Sequence, residues 1–307
     1  MKIGFLFSGQ GSQYPGMGKD FYDEYSEAKK VFDTVGESVR DKCFFAPAEQ
    51  LSLTINTQPC VFTVCMAMYE SLKSVVNHEK INSSAFAGHS LGEYSALCAA
   101  GALDFPDAFE LVSFRAKIME EASLSQPGAM AAVLGSDAEA LISDFPNDGY
   151  ITVANYNCPG QSVVSGDRQA VEAFAEYCKS LGVRCVVLAV SGAFHSRLMA
   201  SAERPLADFL KKLNPKFPQN EVYSNVNGGL FTRGDFEDTI AAQVSSPVLF
   251  EQIVRNMISS GIDAFIEFAP KKTLTPMVKR IDKQAVAFCI SSVAELNETV
   301  QTLGLGA

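Results

Sequence analysis

The stretch Ala87-Gly88-His89-Ser90-Leu91-Gly92-Glu93 sets a serine between two glycines at the spacing G-x-S-x-G, after small and apolar residues and before a helical pattern. A serine on a sharp strand-to-helix turn needs glycine two places to either side, where a Cβ would collide with neighbouring backbone. Such a turn presents Oγ and starts a helix at once. The first N–H groups of a helix lack intrahelical partners and carry partial positive charge, so the Leu91 N–H is a candidate oxyanion donor. A serine hydroxyl becomes a useful nucleophile only when a base within hydrogen-bond reach takes its proton. The chain has three histidines. His78, in Asn77-His78-Glu79-Lys80, reads as solvated surface. His89 adjoins the serine but points away from its Oγ, which leaves it a supporting or a structural role. His195, in Ser191-Gly192-Ala193-Phe194-His195-Ser196, is the candidate base.

The chain order Ser, acid, His of many hydrolases would require a carboxylate between Ser90 and His195. Asp104, Asp107 and Asp167 are available, but none sits in a distinctive motif. A backbone carbonyl is the alternative, because any acceptor at Nδ1–H fixes the imidazole tautomer. A second distinctive loop, Gly9-Gln10-Gly11-Ser12-Gln13, directly follows the first apolar run. Its glycines permit close backbone approach to a ligand, and the Gln10 N–H is a candidate second oxyanion donor. No Gly-Lys-Ser/Thr follows, so the loop is not a phosphate-binding P-loop.

The elements that must position these groups alternate through the first part of the chain. A buried strand is expected at 3–7, a helix near 20–35, a helix opening at Gln58-Pro59, a strand at 84–87, and helices at 91–100 and 106–121. From Pro127 the order becomes strand 129–134, helix 137–145, strand 151–155, strand 162–165, helix 168–181, strand 183–190, which is the βαββαβ pattern of a ferredoxin-like unit. Buried strands are expected again at 222–226 and 264–268. The expected fold is α/β: a large α/β-hydrolase-like domain with a parallel sheet, residues 1–124 and 191–307, interrupted by a small ferredoxin-like subdomain at 125–190. With 307 residues and 47% hydrophobic content the chain can bury a large core. No apolar run approaches a membrane span and the N-terminal run is too short for a signal peptide. Eight scattered cysteines without C-x-x-C pairs suit reduced thiols in a cytoplasmic protein. A net charge of −10 argues against nucleic-acid binding, and no metal-ligand cluster is seen.

On four motifs in order, the chain resembles the malonyl-CoA:acyl carrier protein transacylases of fatty-acid synthesis and the related acyltransferase domains of polyketide synthases. The motifs are Gly9-Gln10-Gly11-Ser12-Gln13, Gly88-His89-Ser90-Leu91-Gly92-Glu93-Tyr94, Asn155-Tyr156-Asn157 with Gln161 and Val163-Val164-Ser165-Gly166, and Gly192-Ala193-Phe194-His195-Ser196. The resemblance implies an acyl-carrying Ser90, His195 as its base, and an oxyanion hole from the N–H groups of Gln10 and Leu91. It further implies that Arg115 grips the malonyl carboxylate, that the main-chain carbonyl of Gln243 orients His195, and that His89, Asn155 and Phe194 line the substrate site. Departures are modest: Ser8 and Ala193 stand where proline is common, and Ala116 where glycine often follows the arginine.

The reaction this resemblance implies is ping-pong transfer of malonyl from malonyl-CoA, through malonyl-serine, to the phosphopantetheine thiol of an acyl carrier protein, with no metal or redox cofactor. Carrier proteins are usually acidic, so an enzyme of this charge needs a local basic face. Lys271, Lys272, Lys279, Arg280 and Lys283 supply one, with Lys271, Lys279 and Arg280 as the expected docking cations. Other readings of the same residues are a stand-alone acyltransferase serving a polyketide synthase and a thioester hydrolase. Nothing in the pattern demands an oligomer, and a monomer is expected.

Overall fold

The computed structural model describes residues 1–77, 84–146 and 148–306, so His78 lies outside the described residues. Nine strands among them are numbered in chain order: β1 (Ile3–Phe7), β2 (Ala85–Gly88), β3 (Gly128–Leu134), β4 (Ile151–Cys158), β5 (Gln161–Asp167), β6 (Arg184–Val187), β7 (Glu221–Val222), β8 (Ala264–Phe268) and β9 (Val286–Ile290). The first sheet has the order β7-β2-β1-β8-β9 and is parallel throughout. Its central strands β1, β2 and β8 are buried along their whole length, which is why they read as continuous apolar runs rather than alternating ones. Phe5, Phe7 and Phe268 gather on one face of this sheet, with Phe7 and Phe268 stacked at 5.2 Å and Tyr69 edge-on to Phe268 at 5.5 Å.

The second sheet, β4-β5-β3-β6, is antiparallel at every pairing and carries the helices Ala138–Asp144 and Arg168–Ser180, giving the ferredoxin-like order expected from the sequence. Val171, Phe174 and Cys178 repeat at helical spacing and bury against Ala131, Val133 and Val164 of the sheet. The two sheets are tied by backbone: the Tyr156 N–H donates to Val248 C=O at 2.9 Å and the Val248 N–H to Ala154 C=O at 2.8 Å. β4 thereby abuts the segment that follows Gln243.

Four expected elements differ. The helix expected near 20–35 is two, Lys19–Glu24 and Ser26–Val35, parted where Tyr25 is extended. The long central helix runs Thr54–Val75, so Pro59 is inside it rather than in its first turn. Leu53 starts the helix by accepting the N–H groups of Asn56 and Thr57, and Thr57 Oγ1 also donates to its carbonyl at 3.1 Å. These local bonds nucleate a turn ahead of the apolar stripe, and Pro59 only removes the donor that Ile55 C=O would have used. The strand expected at 222–226 stops at Val222, because Ser224 closes a turn onto Gly228 and Gly229. The strand expected at 183–190 is limited to Arg184–Val187, after which Leu188 and Val190 turn toward a central cavity.

Candidate active site

β2 delivers the chain to Ser90, which sits at φ 52, and the helix Gly92–Ala99 begins two residues later. This left-handed conformation is uncommon for a residue with a side chain and persists only where the surroundings hold it. The surroundings are tight. A Cβ on Gly88 would stand 1.9 Å from the Gly92 carbonyl carbon, and one on Gly92 would stand 1.9 Å from the Phe7 carbonyl oxygen. Asn225, presented by the turn after β7, closes the bend by accepting the Ser90 N–H at 2.7 Å and donating to Gly88 C=O at 2.7 Å. Its own N–H is taken by Glu93, a fully buried carboxylate whose pKa burial raises to about 8.

Ser90 Oγ lies 2.6 Å from His195 Nε2. On the other side of the ring, Nδ1 lies 3.0 Å from Gln243 C=O and 3.1 Å from Ser246 C=O. Carbonyls only accept, so Nδ1 carries the proton and the Nε2 lone pair faces the serine. Burial, and then the Arg115 cation, push the His195 pKa down to about 3, keeping the imidazole neutral. Among the described residues no side-chain carboxylate hydrogen-bonds the ring: Asp104 caps the helix Phe105–Ser125 by accepting the N–H of Asp107, and Asp167 takes the N–H of Tyr150. Ser90 and His195 both line a cavity of about 240 Å3 whose lining also includes Gln10, Leu91, Asn155 and Phe194.

The Gly9 loop reaches the elbow because Gly9 has no side chain; a Cβ there would lie 2.5 Å from His89 C=O. Among the described residues no backbone or side-chain acceptor takes the N–H of Gln10 or Leu91, which leaves both available beside Ser90. Arg115, on the helix Phe105–Ser125, is buried. It donates to Gln58 Oε1 at 2.6 Å, to Gln243 Oε1 at 2.9 Å and to Ser90 Oγ at 3.3 Å. The guanidinium lies 5.0 Å from the Tyr94 ring centre. Among the described residues no carboxylate forms an ion pair with it, although Glu93 is near enough to oppose the lowering of its pKa by burial. A buried guanidinium without a carboxylate partner, lining a cavity, can receive an anionic group.

His89 turns away from the serine, with its Nε2 2.8 Å from Asn157 Oδ1 and its ring 5.5 Å from Phe250. It lines the cavity, and burial lowers its pKa, so it is a neutral hydrogen-bonding link between the elbow and β4. Asn155 is buried beside the same wall. Lys271, Lys279 and Arg280 are exposed on and before the helix Leu274–Ile281, whose first residues Leu274 and Met277 line the cavity. Among the described residues no group of three or more His, Cys, Asp or Glu is arranged to hold a metal ion. No helix there is long and apolar enough to cross a membrane. All eight cysteines are free thiols. The sequence pattern did not single out Asn225, Gln58 or Ser246. A Ser-Asn pair inside an apolar stretch at 223–226 was the one signal that this segment turns rather than extends.

A serine–histidine couple at a helix N-terminus, on a parallel α/β sheet with an inserted antiparallel sheet, is the arrangement of an enzyme suited to acyl-group chemistry. Residues 4–300 match the acyl transferase domain family. The malonyl CoA-acyl carrier protein transacylase of Bacillus subtilis is 41% identical over 98% of this chain and 97% of that protein. The one from Haemophilus influenzae is 35% identical over 98% of this chain and 99% of its own. Among solved structures, the transacylase of the same name from Clostridium perfringens superposes with a TM-score of 0.90 at 38% identity, covering 99% of this chain and 98% of its own. A malonyl-transacylase solved in complex with a type II polyketide synthase acyl carrier protein superposes at 0.91 with 30% identity, covering 98% of this chain and 100% of its own. The chain belongs to the malonyl-CoA:acyl carrier protein transacylase family of acyltransferases.

Proposed function

We propose that this enzyme transfers malonyl from malonyl-CoA to the phosphopantetheine thiol of an acyl carrier protein through a malonyl-Ser90 intermediate, as a step of fatty-acid synthesis. The observation that carries the residue assignment is the 2.6 Å contact between Ser90 Oγ and the lone-pair nitrogen of a neutral, carbonyl-oriented His195. In the first half-reaction His195 takes the Ser90 proton as Oγ attacks the thioester carbon. The carbonyl oxygen gathers negative charge between the N–H groups of Gln10 and Leu91, and the imidazolium returns the proton to the departing CoA sulfur. In the second half-reaction the carrier thiol gives its proton to His195 and attacks the serine ester, and Ser90 leaves with the proton restored.

Arg115 selects the acyl group. It is held against Gln58 and Gln243 and lines the cavity, where a malonyl carboxylate adds a charge-assisted pair to these neutral partners. Neutralising Arg115 also removes the charge that depresses His195, so the carboxylate that confers selectivity strengthens the base. His89, Asn155 and Phe194 form the wall around the acyl chain. A thioester is already activated, so the chemistry asks for no cofactor. The carrier docks on the face of Lys271, Lys279 and Arg280, and the unit 125–190 forms the opposite lip of the cleft, set into the large unit 1–124 and 191–307. A monomer in the cytoplasm suits a chain with eight free thiols.

Steady-state kinetics test this assignment. Double-reciprocal plots for malonyl-CoA at several carrier concentrations are parallel. Ser90→Ala and His195→Ala each lower kcat by about a thousandfold or more. Intersecting plots, or a Ser90→Ala enzyme of ordinary activity, contradict it.

A further inference from the structure

We propose that Gln58 is a specificity-determining residue that donates a hydrogen bond directly to the carboxylate of the acyl substrate, completing with Arg115 a two-sided carboxylate receptor. The inference rests on the Arg115 reading above and extends it to a residue on a different helix. Gln58 lies in the helix Thr54–Val75, is 1% exposed and lines the cavity. Its orientation is fixed by Oε1, which accepts from Arg115 Nη1 at 2.6 Å. A guanidinium only donates, so the amide oxygen must face Arg115 and the NH2 group must face away.

That NH2 group has two hydrogens, and the one acceptor it meets among the described residues is the Met119 thioether sulfur at 3.5 Å. Thioether sulfur is a weak acceptor. A buried amide normally has stronger partners, because leaving such a donor poorly paired costs free energy. The unliganded site therefore holds a buried, oriented and under-used N–H beside the guanidinium. Of the Arg115 hydrogens, those on Nη2 are taken by Gln243 Oε1 and Ser90 Oγ, and Nη1 gives one to Gln58. A carboxylate that reaches the guanidinium from the cavity meets the remaining Nη1 hydrogen with one oxygen and Gln58 Nε2 with the other. Acetyl has no oxygen to offer at that place, and Gln58 keeps its thioether contact.

The test is single-turnover acylation of Ser90, followed by intact mass, with malonyl-CoA and acetyl-CoA in parallel. Gln58→Leu, of similar size, lowers the ratio of malonyl to acetyl acylation rates by about tenfold or more. Making the same change in the Arg115→Ala enzyme separates a direct donor from a residue that only steadies Arg115. A direct donor predicts a further fall of about threefold or more in the residual ratio. An unchanged ratio there, or equal losses for both substrates in the single variant, overturns the proposal. Full malonyl selectivity in Arg115→Ala alone is a separate result: it overturns the Arg115 reading while leaving the Gln58→Leu ratio to be judged by itself.

Discussion

His195 is a base that never has to be discharged first. Its two carbonyl partners hold the Nδ1 proton without adding negative charge, and burial with the nearby Arg115 keeps the imidazolium unfavourable. A hydrolase-type carboxylate would have raised the same pKa, so replacing it with carbonyls shifts the working range toward acid. The sign follows directly: protonation inactivates the base, and the folded-state pKa near 3 lies below the ordinary 6.5. The kcat/KM for malonyl-CoA is therefore expected to stay flat as pH falls from about 8 to about 5, whereas loss with a midpoint near 6.5 contradicts a neutral, depressed His195. The same shift makes this histidine oppose stability between 6.5 and 3, where the unfolded chain binds a proton that the folded site refuses. Glycine spacing and loop chemistry in the neighbouring residues pointed to Ser90 and His195, whereas Arg115, inside a helix without such neighbours, was marked only by the family resemblance. Asn225 and Gln58 were not, because their significance lies in partners 135 and 57 residues away.

At the scale of elements, the site is built at the ends of β1 and β2, where glycine allows the Gly9 loop and the elbow to touch. The next strand but one in the chain order of this sheet supplies a less obvious support. Glu267 on β8 is fully buried, and its carboxylate accepts the N–H groups of Thr273, Leu274 and Thr275 at 2.8, 2.8 and 2.7 Å, together with the hydroxyls of Thr273 and Thr275. It thus caps the helix Leu274–Ile281, whose Leu274 and Met277 line the cavity. Glu267→Gln turns one accepting oxygen into a donor facing other donors, and is expected to destabilise the fold by about 2–4 kcal/mol in urea titration. A change below about 0.5 kcal/mol would show the cap to be dispensable. The strand that carries this device was readable as an apolar run at 264–268, whereas β9, half-exposed, was not expected. The capping role of Glu267 was not, since a lone acid in a buried strand announces no partner. The early start of the helix Thr54–Val75 was hidden for a related reason: its first turn is set by Leu53 and Thr57 hydrogen bonds and not by apolar spacing.

Over the whole molecule, the cavity lies between two sheets of different construction, and the backbone bonds from β4 to Val248 run beside the carbonyls that hold His195. The wall that meets substrate and the loop that orients the base are thus one connected unit. The α/β class and the inserted βαββαβ order were readable from hydrophobic spacing together with turn residues, although several element bounds were not. How the two units face each other was not, since that depends on pairings such as His89 with Asn157 that span 68 residues. A net charge of −10 places weight on the exposed Lys271, Lys279 and Arg280. Reversing all three is expected to raise the KM for carrier protein by about tenfold, more at low salt, while acylation by malonyl-CoA keeps its rate. An unchanged KM for carrier removes this face from the docking surface. The most direct test of the central claim is the intact mass of the enzyme after brief exposure to malonyl-CoA and again after addition of a holo acyl carrier protein, with Ser90→Ala alongside. The account predicts a malonyl adduct confined to Ser90 that moves to the carrier. An adduct that is lost equally fast to water without carrier, or one that still forms in Ser90→Ala, contradicts it.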